Sequence, residues 1–138
     1  MLHKKACIFG YWVTEHGDGE FGIIYSGVEG QDAVNFLLKV RSGEIRSAFT
    51  KDGLGEIDLI YGVSGLNGYG LAHIIEFHVQ DLDKITLIIE NGIIVTQAPD
   101  RKLLVYESPD KTYISAIKLD WNGKSKKWLV TAYGKNTP

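Results

Sequence analysis

Apolar and polar residues follow two different periods along this chain. Apolar residues recur at the spacing of an amphipathic helix in three segments, 32–40, 69–79 and 82–90. Shorter segments rich in β-branched and aromatic residues predict strands, namely 6–13, 21–25, 57–61, 93–97, 103–107, 112–121 and 127–133. The polar, glycine-containing stretch HGDGE is predicted to be a loop between the first two strands.

The last four predicted strands are separated only by the short turns APDR, SPDK and WNGK. Such turns leave no room for crossover helices, so these strands are predicted to form an antiparallel meander. We therefore predict an α+β fold in which N-terminal helices, including helix 69–79, pack on a C-terminal antiparallel β-meander. No internal repeat or Pro/Ser-rich linker interrupts the chain, which indicates a single domain over residues 1–138.

The composition, 44% apolar and 23% charged, is typical of a globular domain. No apolar run approaches the roughly 18 residues that cross a bilayer, so we expect no membrane association. Cys7 is the only cysteine, which excludes an internal disulfide and a cysteine-based zinc cluster.

Charge is distributed unevenly, although the net charge is only −2. Residues 1–99 carry seven Lys/Arg against thirteen Asp/Glu, whereas residues 100–138 carry eight against four, a net of +4. The cationic end is either a solvated, lysine-rich sheet edge or a surface that faces phosphate groups. Composition alone does not separate these interpretations.

Four glycines in the pattern Gly62-x-x-Gly65-x-x-Gly68-x-Gly70 connect a predicted strand to the helix 69–79. The pattern lacks the Gly-Lys-Ser/Thr of a P-loop and the acidic residue of a dinucleotide fingerprint. It is either a flexible connection or a means of presenting a helix N-terminus, where free N–H groups favour anions.

His73 and His78 lie on this predicted helix, five residues apart, which is about 140° of rotation. That separation does not suit two ligands of one metal ion, and no His-Glu-x-x-His motif is present. His78 falls on the apolar stripe of Leu71 and Ile74, and His73 lies beside it. Such a histidine is either a hydrogen-bonded core residue or a proton-transfer group at the edge of a helix–sheet cleft.

Two further residues, on or near the predicted sheet, have side chains that could take part in catalysis or binding. Alternation along WLVTAY places Thr131 on the same face as Leu129 and Tyr133. Arg101 lies at the turn APDR. Taken alone, a strand threonine and a turn arginine are ordinary residues.

In their order along the chain, the segments GEIDLIYG, GLAHIIEFH, Asp100-Arg101 and WLVTAY resemble the toxin-like nucleases of the barnase–EndoU–colicin–RelE-like superfamily. The resemblance covers residues 29–134 and leaves 1–28 as an unassigned N-terminal extension. It implies a barnase/RelE-like nuclease fold in which His78, Arg101, Thr131 and His73 are catalytic. His73 stands where relatives often have lysine.

The expected substrate contacts are more widely spread. The resemblance adds Lys51 and Tyr133, and the cationic end adds Lys124, Lys126 and Lys127 as contacts to RNA phosphates. No metal ligand and no cofactor is expected.

The resemblance implies a metal-independent endoribonuclease toxin domain that cleaves RNA, with transfer RNA among the candidate substrates, by attack of the 2′-OH. It further implies a role in bacterial competition as a polymorphic toxin, with a cognate immunity protein as partner. Its site of action would be the cytoplasm of a target cell, after delivery as the C-terminal part of a larger protein. Two alternatives stay open: a non-catalytic protein-binding module of immunity-like or adaptor type, and a nuclease fold that has lost its activity.

Overall fold

The computed structural model describes residues 3–136, which form a nine-stranded sheet with three short α-helices. The strands are β1 Lys4–Ile8, β2 Tyr11–Gly19, β3 Gly22–Ser26, β4 Glu44–Lys51, β5 Gly55–Ile60, β6 Ile93–Ala98, β7 Arg101–Glu107, β8 Lys111–Trp121 and β9 Lys124–Asn136. The helices are α1 Gly30–Val40, α2 Leu71–Phe77 and α3 Ile85–Asn91, with a 3-10 helix, Val79–Lys84, between α2 and α3. Within residues 3–136, no helix has both the length and the apolar character needed to cross a membrane.

The sheet is mixed, with the strand order β1-β2-β3-β4-β5-β9-β8-β7-β6. The pairs β3/β4 and β5/β9 are parallel, and the other neighbouring strands pair antiparallel. Helix α1 connects β3 to β4 and so supplies the crossover that a parallel pair requires. Strand β9, the last in the chain, lies in the middle of the sheet.

The predicted fold class is therefore wrong. The chain begins with three strands rather than with helices, and the helices lie between strands along the chain. Strands β6 to β9 do pair antiparallel in chain order, as their short turns indicate, but they form only part of a larger mixed sheet. The sequence does not indicate the two parallel pairs for different reasons. The pair β5/β9 joins segments far apart along the chain, and the pair β3/β4 includes a strand, β4, whose residues lack a strand-like pattern.

The N-terminal strands differ from the predicted ones. Segment 6–13 contains the turn of a hairpin, because Ile8 pairs with Tyr11 across Phe9 and Gly10. Both turn residues have positive φ, 52° and 84°, as a tight two-residue hairpin turn requires. The predicted loop HGDGE is largely part of β2, since a bulge accommodates the irregular residues.

Strand β4 is not evident from the sequence. Its apolar residues Ile45, Ala48 and Phe49 recur at a helix-like spacing because a bulge interrupts the ladder between Ile45 and Phe49. Within the bulge, Ser47 has a φ of +55°. The backbone irregularity thus conceals the two-residue period of a strand.

The two sides of the sheet carry different apolar clusters. All three helices pack into one large buried cluster, which includes Leu59 and Leu129 of the central strands. The adjacent residues Ile60 and Trp128 belong to a smaller cluster on the opposite side, because neighbouring residues of a strand point to opposite faces.

Candidate active site

Helix α2 begins where the two central strands separate. Strands β5 and β9 pair only over Asp58–Trp128 and Leu59–Leu129. Beyond this point the backbone N–H of Gly70 donates a 2.7 Å hydrogen bond to the carbonyl of Val130 on β9. The start of α2 thereby replaces β5 as the neighbour of β9, which brings the side chains of α2 close to that strand.

The four glycines allow a closed loop that precedes α2. The backbones of Val63 and Tyr69 exchange two hydrogen bonds, of 2.9 and 2.8 Å, across the loop. A Cβ at Gly62 would lie 2.0 Å from the carbonyl oxygen of Tyr69, and Gly62 has a φ of +74°. A Cβ at Gly68 would lie 2.1 Å from the carbonyl oxygen of Val63. The glycines thus permit close backbone contact within the loop.

The far end of this loop is bonded to α2 through Gly65. Its N–H donates to Oε1 of Glu76 at 2.7 Å, and its carbonyl oxygen lies 3.1 Å from Nδ1 of His73. Because a carbonyl oxygen only accepts, Nδ1 of His73 carries the proton in this bond. In the neutral ring, Nε2 of His73 is then the free acceptor.

His78 lies just beyond the end of α2. Its backbone φ of −136° departs from helical geometry, although its N–H still donates to the carbonyl of Ile74 at 2.8 Å. Its ring stacks on Tyr133 with centroids 5.2 Å apart and an interplanar angle of 29°. The ring of His73 lies 5.3 Å away. The helical separation of 140° does not apply, since the helix ends before His78.

The environment of the His78 ring favours its neutral form. Partial burial and, to a smaller extent, the nearby ring of His73 lower the pKa of His78, while Asp81 opposes the shift. The ring is half-buried, and no residue of the described range 3–136 hydrogen-bonds its nitrogens. The interpretation of His78 as a hydrogen-bonded core residue is therefore not supported by its contacts.

A cleft of about 490 Å³ lies between α2, the glycine loop and strands β7 to β9. We call it the histidine cleft. Five residues predicted from the sequence line it, namely His73, His78, Arg101, Thr131 and Tyr133. The residues of this lining that the sequence reasoning did not single out include Leu66, Asn67, Tyr69, Lys118 and Trp121.

A β-bulge in β9 turns Thr131 toward the histidine cleft. Thr131 pairs with Ala116 and Leu129 pairs with Ile117, so Val130 is the extra residue. Leu129 is buried in the main core, whereas Val130 and Thr131 both line the cleft. The prediction that Thr131 shares a face with Leu129 is wrong, because the bulge shifts the alternation by one residue.

Two cationic side chains line the same cleft. Arg101 on β7 pairs directly with Lys118 on β8. The Lys118 ammonium lies 3.2 Å from Oδ2 of Asp100, and this hydrogen bond and charge lower the pKa of Asp100. Among residues 3–136, no side chain or backbone group is hydrogen-bonded to the guanidinium of Arg101. Its donors are therefore free for an anionic ligand.

The other predicted lysines do not line the histidine cleft. Lys51 donates a 3.2 Å hydrogen bond to the carbonyl of Glu90. The remaining three are Lys124, Lys126 and Lys127, at the beginning of β9. Lys126 and Lys127 border a separate shallow depression that also contains the carboxylates of Glu56 and Asp58.

A family model, described as phage-Barnase-EndoU-ColicinE5/D-RelE like nuclease 1, matches residues 48–138. The chain belongs to this nuclease family. The resemblance seen in the sequence is thereby confirmed for residues 48–134. Comparison with curated proteins and with solved structures gave no match.

Every residue that lines the histidine cleft falls inside the segment matched by the nuclease 1 family. Membership indicates nuclease activity and a nucleic acid as substrate. Within residues 3–136, no three His, Cys, Asp or Glu side chains cluster closely enough to hold a metal ion. The polar groups that line the cleft of this nuclease domain include imidazole, guanidinium, ammonium, amide and hydroxyl groups.

The unpredicted cleft residues had weak signals in the sequence. Lys118 belongs to the cationic C-terminal segment, but only its register opposite Arg101 marks it as part of the site. Tyr69 follows the glycine pattern, and Trp121 adjoins the turn WNGK. Aromatic residues at such positions are usually structural, so sequence alone offers no reason to choose them.

Proposed function

We propose that this domain is a metal-independent endoribonuclease toxin that cleaves RNA by attack of a 2′-OH on the adjacent phosphate. The observation that carries the proposal is the convergence of His73, His78, Arg101 and Thr131 on one cleft of a nuclease-family domain. These residues come from α2, its C-terminal end, β7 and β9.

His78 is assigned the proton transfer. Because its pKa is lowered, the ring is largely neutral near pH 7 and is able to accept the proton of the attacking 2′-OH. The new bond joins the 2′-oxygen to phosphorus, and the bond from phosphorus to the 5′-oxygen breaks. The 5′-oxygen takes a proton from the imidazolium or from water. The products are a 2′,3′-cyclic phosphate and a free 5′-OH.

The other groups stabilise the charged phosphorane. The unpaired guanidinium of Arg101 is suited to bind two phosphate oxygens, and Lys118 adds a second positive charge beside it. Thr131 Oγ is assigned as a hydrogen-bond donor to a phosphate oxygen. His73, whose Nδ1–H donates to the Gly65 carbonyl, has Nε2 left for a positioning contact. In the neutral ring Nε2 accepts from a sugar hydroxyl, and in the protonated ring Nε2–H donates to a phosphate oxygen.

The biological setting that fits this chemistry is a delivered toxin. It would act in the cytoplasm of a target cell, where transfer RNA is one abundant substrate, and would reach it as the C-terminal part of a larger protein. A cognate immunity protein would cover the histidine cleft. Leu66, which lines the cleft, and Phe77, whose ring centroid lies 5.0 Å from that of His73, are 85% and 39% exposed and offer apolar contacts for such a cover.

The deciding experiment measures single-turnover cleavage of a labelled RNA with and without millimolar EDTA. The same sequence with one 2′-deoxy nucleotide at the cleaved position serves as the matched substrate. We expect cleavage that persists in EDTA, a 2′,3′-cyclic phosphate at the product end, and no cleavage at the deoxy position. Loss of activity in EDTA that magnesium restores, or cleavage of the deoxy substrate, would overturn the mechanism. Tight RNA binding without any cleavage would favour a nuclease fold that has lost its activity.

A further inference from the structure

We propose that Trp121 and Tyr69 form a nucleobase-stacking subsite, so that the histidine cleft accepts an unpaired nucleotide extruded beside the cleaved phosphate. This inference rests on the proposed ribonuclease function and adds to it a recognition element. Neither aromatic residue is part of the predicted catalytic set.

The two rings form one wall of the cleft. The centroids of Tyr69 and Trp121 lie 5.1 Å apart, and both side chains line the cleft while only partly buried. The fully buried Trp128 supports Trp121 from behind, with centroids 5.4 Å apart. Phe21 packs edge-on against Tyr69 at 5.9 Å. The wall is thus held by aromatic packing on one side and open to the cleft on the other.

The wall is close to the groups expected to hold phosphate. Strand β8 carries Lys118, which pairs with Arg101, and Trp121 follows Lys118 by three residues. Three residues of extended strand span about 10 Å. When a phosphate is bound between Arg101 and Lys118, the base of the same or the adjoining nucleotide can therefore reach the aromatic wall.

This combination of groups favours a single-stranded ligand. In an RNA duplex the bases are paired and stacked, and proteins contact mainly the backbone and the shallow minor groove. Cations beside aromatic faces are instead typical of sites that bind unstacked bases. The cleft volume of about 490 Å³ lies within the range of pockets that bind small organic ligands. One extruded nucleotide is a ligand of that class.

A binding cycle tests the inference without depending on cleavage. The probe is a fluorescent single-stranded oligonucleotide with 2′-deoxyribose at every position, so that no 2′-OH is available for attack. It is made with each base in turn intact or replaced by an abasic residue. Trp121→Ala is expected to weaken binding of the intact probe roughly 5- to 150-fold. One abasic position should weaken binding to the unchanged protein similarly, and Trp121→Ala should then cause little further loss. Trp12→Ala is the matched control, since Trp12 is 70% exposed on β2 and does not line the histidine cleft.

Trp121→Ala also removes packing against Trp128, so each variant is first checked for an unchanged circular dichroism spectrum. Trp121→Phe, which keeps an aromatic ring, should retain most of the affinity and serves if the alanine variant does not fold. The subsite would be overturned if the loss of binding free energy from Trp121→Ala added in full to the loss from every abasic position. It would also be overturned if Trp121→Ala bound the intact probe as tightly as the unchanged protein does.

Cleavage of the all-ribose RNA by the unchanged protein separates the two proposals. If that RNA is cut but the effects of Trp121→Ala and of the abasic positions on affinity are additive, only the stacking subsite is refuted. If the cycle is non-additive but no RNA is cut, the subsite stands as a binding element and the ribonuclease proposal fails.

Discussion

The imidazole rings of His73 and His78 lie 5.3 Å apart at an interplanar angle of 65°, on the same wall of one cleft. A continuous helix would separate these positions by about 140°. The end of α2 at Phe77 removes that constraint. The proximity of the His73 ring contributes to the lowered pKa of His78, after the larger effect of burial.

The first prediction concerns the roles of the two histidines. His78→Ala should lower the single-turnover cleavage rate by about 10²-fold or more, as expected for loss of a general acid or base, while RNA affinity changes little. His73→Ala should weaken RNA binding more than it lowers the rate at which bound RNA is cleaved. Rates at saturating protein and affinities for a 2′-deoxy probe separate these effects.

Thermal melting of the same His78→Ala sample provides the control. A variant that melts earlier but cleaves at the unchanged rate would make His78 a structural residue and would contradict its assignment.

The second prediction concerns pH. Because the pKa of His78 is lowered, the neutral base forms below the ordinary histidine pKa of about 6.5, and the rate should rise with pH through that lower value. His73→Asn keeps a donor for the Gly65 carbonyl but removes the neighbouring charge. It should raise the pKa of His78 and shift the acidic limb of the rate profile to higher pH. NMR titration of the His78 ring in both proteins measures the shift directly.

The same shift predicts a dependence of stability on pH. Since the folded state holds His78 at a lowered pKa, its contribution to the free energy of unfolding is fully present above about pH 6.5. That contribution is lost as the pH falls toward the lowered value, because the unfolded chain takes up the proton first. Denaturant unfolding of the unchanged protein and of His78→Gln at pH 7 and pH 5 measures how much of the change in the free energy of unfolding is due to His78. An equal loss of stability in both proteins would contradict the lowered pKa.

The third prediction concerns the lysines at the beginning of β9. Replacing Lys124, Lys126 and Lys127 with glutamine should lower RNA affinity and flatten its salt dependence, because fewer counterions are released on binding. The rate at saturating protein should not change, since none of the three lines the histidine cleft. Lys118→Gln, inside the cleft, is the comparison and should lower both affinity and rate. An unchanged salt slope in the triple variant would identify those lysines as a solvated sheet edge.

The fourth prediction concerns the glycine loop. Gly62→Ala and Gly65→Ala both place a side chain at positive φ, +74° and +108°, which costs about 1–3 kcal/mol. Only at Gly62 does the new Cβ also overlap a backbone atom, the carbonyl oxygen of Tyr69. Gly62→Ala should therefore lower the free energy of unfolding further than Gly65→Ala, whose Cβ would meet no atom within 4 Å. Equal losses in chemical denaturation would show that the loop opens without cost.

Much of the local structure was determined by the sequence itself. The apolar spacing of 32–40 corresponds to α1, and the turns APDR, SPDK and WNGK separate β6 to β9 as short-range signals predict. The order of the segments around His73, His78 and Arg101 was sufficient to recognise the nuclease family. Such features depend on neighbouring residues, whose preferences for turns and for helical or strand spacing are readable along the chain.

The tertiary structure decided how these pieces combine. The pairing of β5 with β9 joins Asp58 to Trp128, 70 positions apart in the sequence, and no local pattern specifies a contact at that range. The bulge at Val130, which turns Thr131 into the cleft, arises from the register of β9 against β8 rather than from the residues alone. Likewise, Lys118 and Trp121 join the site only because β8 lies beside β7 and β9. A cleft formed by three strands and a helix end depends on long-range pairing, and that pairing is selected by the packing of the whole sheet.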